Sequence, residues 1–543
     1  MRFLSLFAVL AATVAPAAAQ QRAVVDASAP TDLSVTVYRD PDREVGEEME
    51  TDWPQGFAMI SETRKVTLPA GQSTIRFDGV AEGMVAVSAI VTGLPGGTIE
   101  KNRNAELLSP AALVNGAVGN RVTITRTNPA TGKAISERAI VRTRADGGLV
   151  LQSAEGFEAV RCAGIPERLT FDRVPSGLSA KPVFSIDTQD ATGGTYEVTL
   201  TYLAWGFDWQ ADYVATFTDK QDGDWSEMSW LSWLSLVNDN GQSFENAQLL
   251  VIAGTLNVTS DFEYLADPPT AEPLRLTCYP IGSTAAGSPI PNFAPPPPPP
   301  APMMMDVGSN EMIVVTGSRL KAADMMAAAP VSVMEAGEEA LGDLKLYRVP
   351  ERVTVSAKGM KQVAFLNRNA VQARFLYLGL CEPYSWLDPE YEFSPADMLL
   401  VTKNEDKRGL GVSLPQGSMK IFESGEYGSQ LVAETELRDY GRLQEIELAL
   451  PSSNQVNIKC GRVVETADPD EEDRKWVKML AEVRNANPHD VTIRLMLGEP
   501  SYWDVRFQRG KTQVKNGYLI TEVKVPANSA REFSWKIRRS NAE

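Results

Sequence analysis

The chain is poor in the residues that usually announce chemistry. Of 543 residues, one is histidine and four are cysteine. The histidine, His489, sits in an Asn-Pro-His-Asp turn signal, where an exposed side chain is expected. A Ser-His-Asp triad would need it held in a cleft beside a nucleophile. No G-x-S-x-G elbow, H-E-x-x-H helix or phosphate loop is present, so no catalytic residue and no cofactor is assigned. None of Cys162, Cys278, Cys381 and Cys460 belongs to a C-x-x-C pair, so the usual zinc spacing is missing and no metal site is assigned. Positive charge is also short: 52 Lys and Arg stand against 70 Asp and Glu, a net charge of −18. That balance speaks against a nucleic-acid partner. "DPDEED" offers Asp468, Asp470 and Asp473 for calcium, but lacks the glycine and closing glutamate of a calcium loop. Helical periodicity is scarce, with "SPAALVNGAV" holding one turn.

What is present begins with an export signal. "MRFLSLFAVLAATVAPAAAQ" has Arg2, an apolar run from Phe3 to Val14, and small residues at Ala17 and Ala19. This is the three-part layout of a secretory signal peptide, expected at 1–19. The apolar run is shorter than the roughly 18 residues of a membrane anchor, and no later run is long enough. The mature chain is therefore expected to be periplasmic or secreted, without a transmembrane span. Such a compartment permits disulfides, and four cysteines allow three pairings. Keeping each pair within one half of the chain gives Cys162–Cys278 and Cys381–Cys460. Buried free thiols are the alternative.

Strand signals dominate the rest. "TYEVTLTYL" alternates, with Tyr196, Val198, Leu200 and Tyr202 on one face. "WSEMSWLSWLSLV" carries Trp230 and Leu234 on one face and Leu231 and Trp233 on the other, so cover on both sides is expected. Asn238-Asp239-Asn240-Gly241 then reads as a tight hairpin turn or a longer loop before a second apolar strand. "RVTITRTNPATGKAISERAIVRTRADGGLVLQ" reads as a small meander. The C-terminal end reads as four strands in sandwich style. The fold class expected is mainly β: multi-domain antiparallel β-sandwiches with a Pro-rich disordered insertion.

Three stretches resemble a known family. "TYLAWGFDWQADY", "NDNGQSFENAQLLVIAGTLN" and "GDLKLYRVPERVTVSAKGMKQVAFL" are similar to the domain family of unknown function numbered 4139, which includes proteins labelled mucoidy inhibitor A. "GLGVSLPQGSMKIFE" and "NPHDVTIRL" match its later strands, and "LSVTVYRD" with "TLPAGQSTIRFDGV" resembles the partner domain that often precedes it. The coiled coil usual between the two is absent, and the family brings no established activity. The resemblance implies an N-terminal β domain at 31–170, a family domain split into 171–281 and 342–465 by an insertion at 282–341, and a C-terminal sandwich at 466–540. Within its motif Trp205, Phe207 and Trp209 alternate. They read as an aromatic core layer or, alternatively, as a platform for a sugar ring.

The insertion holds the sequence's most distinctive segment. Pro295 to Pro302, with one alanine, favours polyproline II and a spacer of about 25 Å. "EMIVVTGSRLKAADMMAAAPVSVM" follows and resembles the N-terminal segment of TonB-dependent receptors, without their barrel. The resemblance implies partner binding by Ile313, Val314, Val315, Thr316 and Gly317. A short β-branched ribbon of this kind adds itself to the edge of a partner's sheet. An ordinary strand of the host domain is the plainer reading of the same residues.

Three functions fit. The first is an exported, non-enzymatic envelope protein that binds or scaffolds, docking an envelope protein or polysaccharide. The second is a carbohydrate-processing hydrolase with two carboxylates about 5–10 Å apart. The third is a structural protein with an inert linker.

Overall fold

The computed structural model describes residues 22–104, 107–128, 130–144, 149–159, 167–175, 178–222, 225–254, 256–266, 337–387, 390, 392–425, 428–463, 475–507 and 510–540. The signal peptide expected at 1–19 lies outside these residues. So does most of the insertion at 282–341, although Gly337–Leu341 is a strand paired with Leu344–Arg348 and belongs to the body. The protein is mainly β, with 62% strand and 4% helix.

The alternation in "TYEVTLTYL" is realised. In the strand Gly194–Trp205, Val198, Leu200 and Tyr202 are buried while Thr199 and Thr201 are half-exposed. This strand pairs antiparallel with Phe57–Leu68, and their outer faces carry a ladder of hydroxyl pairs, Ser61 with Thr201 and Thr63 with Thr199. Phe57–Leu68 pairs in turn with Asp32–Tyr38, which lies parallel to Phe244–Ala253. One sheet thus holds residues from both sides of the expected boundary at 170/171. That boundary is not a structural one. Leu33, Val35 and Val37 are buried, and their strand is satisfied only by neighbours on both of its edges. A second sheet, built on Gly71–Asp78 and Val183–Asp190, covers the first through Ile75, Phe77, Phe184 and Ile186.

The meander is a separate small unit. Arg121–Thr127, Ala134–Val141 and Val150–Ser153 form its centre, over a core of Val122, Ile124, Val141 and Leu151. The helix Pro110–Gly116 closes that core with Val114. Ser109 caps it, its hydroxyl accepting from the Ala112 amide at 3.1 Å.

A rolled sheet follows. Its strands run in the order Gly428–Leu437, Gly417–Gly425, Phe207–Asp222, Trp225–Asn238, Gly359–Leu380, Asp397–Lys403 and Glu445–Leu450. The first and last meet where the Thr435 hydroxyl donates to the Ala449 carbonyl at 2.7 Å. The roll encloses Tyr213, Trp230, Phe365, Ile421, Leu437 and Leu448. Trp233 and Leu231, on the outer face, are half-buried.

Two expectations about the segments around Trp205 and Asn238 change. Gly206, at φ +86°, passes the chain from the first sheet into the roll. Trp205 therefore packs with Val85 and Ala266, while Phe207 and Trp209 enter the main core, so the three rings do not share one layer. The Asn238–Gly241 turn likewise makes no hairpin: Trp225–Asn238 stays in the roll and Phe244–Ala253 joins the first sheet. Asn240 pins this crossing, accepting from the Gly83 amide at 2.7 Å and donating to the Trp205 carbonyl at 3.1 Å.

The C-terminal sandwich begins earlier than 466. Beyond Ala373, the edge of Gly359–Leu380 that holds Trp225–Asn238 passes to Val491–Gly498, which pairs with Tyr377–Leu380 in parallel. Tyr518–Val525 extends this arm. The facing sheet contains Val456–Arg462, Val477–Asn485, Ser529–Arg539 and Trp503–Phe507. Tyr377, Cys381 and Ile458 share one core with Val483, Leu495 and Trp535. The division at 465/466 would cut the pairing of Val456–Arg462 with Val477–Asn485. Cys381 and Cys460 form a disulfide, with Cα atoms 5.3 Å apart, that ties one sheet of this sandwich to the other.

Candidate functional site

The residues singled out for docking, Ile313 to Gly317, lie outside the described residues, as do Cys162, Cys278, Asp468, Asp470 and Asp473. Among the described residues no group of three His, Cys, Asp or Glu is placed to hold a metal. His489 is exposed, and its carbonyl accepts from the Asn485 side chain at 2.9 Å. Phe207 and Trp209 are fully buried and present no ring to a sugar.

A concavity among the described residues lies elsewhere. Between the outer wall of the roll and the arm Val491–Gly498/Tyr518–Val525 runs a trough of about 480 Å³. Alternation builds it. Ile446, Leu448 and Leu450 point into the roll, so Glu445, Glu447 and Ala449 point out. Leu378, Leu399, Ala449, Met496 and Ile520 line the trough with apolar surface. The strands Glu445–Leu450, Asp397–Lys403, Gly359–Leu380, Val491–Gly498, Tyr518–Val525 and Gln513–Lys515 are consecutive neighbours. Laid flat, the outermost two would stand about 24 Å apart. Lys515 nevertheless reaches Glu445 at 2.7 Å and Glu447 at 2.5 Å, so the sheet curls around the trough.

The charges along it form one network. Arg494 pairs with Glu447 and with Glu522, each at 2.8 Å, and Arg374 pairs with Glu522 at 3.0 Å. Three cations (Arg374, Arg494, Lys515) thus meet three carboxylates (Glu445, Glu447, Glu522). Burial disfavours the Glu522 charge, but hydrogen bonds from Arg494 and Arg374 outweigh it and hold the carboxyl below its ordinary range. Arg494 is likewise opposed by burial and held above its ordinary value by Glu522 and Glu447. Arg438 also lines the trough, with its guanidinium 4.5 Å from the Tyr440 ring centre and no carboxylate partner among the described residues.

Carboxyls pushed upward occur away from this trough. Asp208 rises to about 6 because it is buried, with Arg43 opposing the rise. Arg43 donates to Asp208 at 2.7 Å and to the Trp209 carbonyl at 2.6 Å, clipping the segment after Tyr38 onto the roll. Glu62 and Glu436 are also raised, chiefly by burial. None of the three lines the trough. The sequence reading did not single out the network residues. One signal was available: Arg494 interrupts the apolar strand "TIRLML", a place where a charge needs a partner.

Compared with family models and with curated proteins, the chain matches none.

Proposed function

We propose that this is an exported β protein that acts by binding, with the trough as its contact surface. One observation carries the reading: the trough's carboxylates, Glu445 and Glu447, are spent on Arg494 and Lys515, while the floor is apolar and Arg438 has no carboxylate partner among the described residues. Such a surface suits a partner segment with an apolar body and one negative group. The Cys381–Cys460 disulfide supports an oxidising compartment. The family resemblance of "WQADY" and its neighbours, and the docking ribbon at Ile313 to Gly317, belong to the same reading and rest on sequence.

The test places a photo-reactive residue at Asn516, on the trough rim, in intact cells. A partner adduct is expected that disappears when Ala449→Trp fills the floor and weakens in Arg438→Glu. An adduct indifferent to both changes removes the trough from the reading. Turnover of a glycan, lost in Glu447→Gln, would replace binding by hydrolysis. Deleting 295–330 should leave the thermal midpoint unchanged and abolish pull-down of an envelope partner. Retained pull-down would eliminate the ribbon.

A further inference from the structure

The outward face of the C-terminal sheet carries charge in an arrangement that costs stability. Val477–Asn485, Ser529–Arg539 and Trp503–Phe507 lie side by side. Met479, Trp535 and Phe507 turn into the sandwich core, so their chain neighbours turn outward. Lys478 stands directly opposite Lys536, and Lys536 directly opposite Arg506. All three are exposed. Adjacent strands are about 4.8 Å apart, so three like charges form a line about 10 Å long across the sheet. Like charges directly opposite one another are destabilising. Among the described residues no carboxylate lies within ion-pair distance of any of the three.

One member of the stripe is also pre-oriented. Trp476 holds the guanidinium of Arg506 at 4.1 Å and that of Arg538 at 4.7 Å from its ring centre. Arg538 pairs with Asp504 at 2.9 Å and so contributes little free charge. Stacking fixes the guanidinium planes, which suits forked contacts to carboxylate or phosphate. The ring is already engaged by two cations, so an occupant is held by charge. Four residues along the same strands, Glu482 stands opposite Glu532. A plane of anionic lipid would press on both the cations and these acids, whereas one chain can lie along the cations alone. A protein of net charge −18 repels isolated anions, and a chain that meets several cations at once overcomes this by multivalency.

We propose that the stripe Lys478–Lys536–Arg506 binds a linear polysaccharide of acidic sugars, with about one carboxylate facing each cation. It lies on a different face from the trough, and either reading stands or falls without the other.

The experiment uses the full mature chain, polygalacturonate as probe and dextran as neutral control. Binding to polygalacturonate alone is expected, weakening as salt screens it. Lys478→Gln, Lys536→Gln and Arg506→Gln together should lower affinity about tenfold or more while the thermal midpoint holds or rises, because a like-charge row has been relieved. A control that loses the same charge elsewhere, Lys65→Gln, Lys133→Gln and Lys181→Gln, should bind normally. Equal binding to dextran, an unaffected triple variant, or an equally impaired control overturns the proposal. So does binding to phosphatidylglycerol vesicles in place of the polymer. Binding that emerges only after Glu465, Asp468, Asp470, Glu471, Glu472 and Asp473 are neutralised also overturns it, since the chain's own acids would then occupy the stripe.

Discussion

Two arginine–carboxylate sites in this protein use the same chemical groups to opposite effect. Arg43 and Asp208 are sealed, with side chains 4% and 2% exposed, and one cation faces one anion. There burial prevails and the Asp208 carboxyl moves up to about 6. Arg494 and Glu522 stand beside the open trough, with Arg374 adding a second cation to the same carboxylate. There the cations prevail and Glu522 moves down. The arginines are almost equally buried, 4% and 6% exposed, so the number of partners and the carboxylate's own access to water, 2% against 24%, decide the sign. A sealed single pair fastens a segment in place. A shared, accessible network shapes a surface.

The comparison is broken most forcefully at the sealed site. Asp208→Ala leaves Arg43 buried without its anion and should cost about 3–5 kcal/mol, read by denaturant unfolding. Arg494→Met removes a cation from the network but leaves Lys515 on Glu447 and Arg374 on Glu522. A smaller loss of about 2 kcal/mol is expected by the same measurement. An equal loss at the two sites would erase the distinction.

The smallest effect is the most diagnostic. Asp208 has a folded value above its ordinary 3.8, so the folded protein binds the extra proton between there and about 6. Its contribution to stability is fullest below that window and is lost as pH rises through it. Glu522 has a folded value below its ordinary 4.5, so its contribution is present above that value and lost as pH falls through the lower folded one. Asp208→Asn should flatten the stability profile between about pH 4 and 6. Glu522→Gln should flatten only the acid limb. Slopes of the same sign from both variants would contradict the assignment.

Strand identity was readable because a strand has two faces. Tyr196, Val198, Leu200 and Tyr202 repeat at the period that buries one of them. Layer membership was not readable. Gly206 and the Asn238–Gly241 turn state that the backbone bends, but the same dihedral requirement serves a hairpin and a crossing between sheets. The boundaries at 170/171 and 465/466 failed for this reason, since local composition does not tell a strand which remote edge it will join. The trough was partly visible through Arg494. Its partners Glu447 and Glu522 come from strands that only the completed sheet brings near. The disulfide Cys381–Cys460 joins strands belonging to one sandwich, and nothing in the spacing of the cysteines encodes that.

The parallel seating of Val35 beside Leu249 has a kinetic consequence. The strand near the amino end cannot complete its hydrogen bonding until more than two hundred further residues have emerged. The first sheet therefore cannot close from the amino end alone, and the chain must search for this long-range contact after the later strands have been made. Slow folding, with a window in which the apolar edge stays exposed, follows from a contact of such long sequence separation.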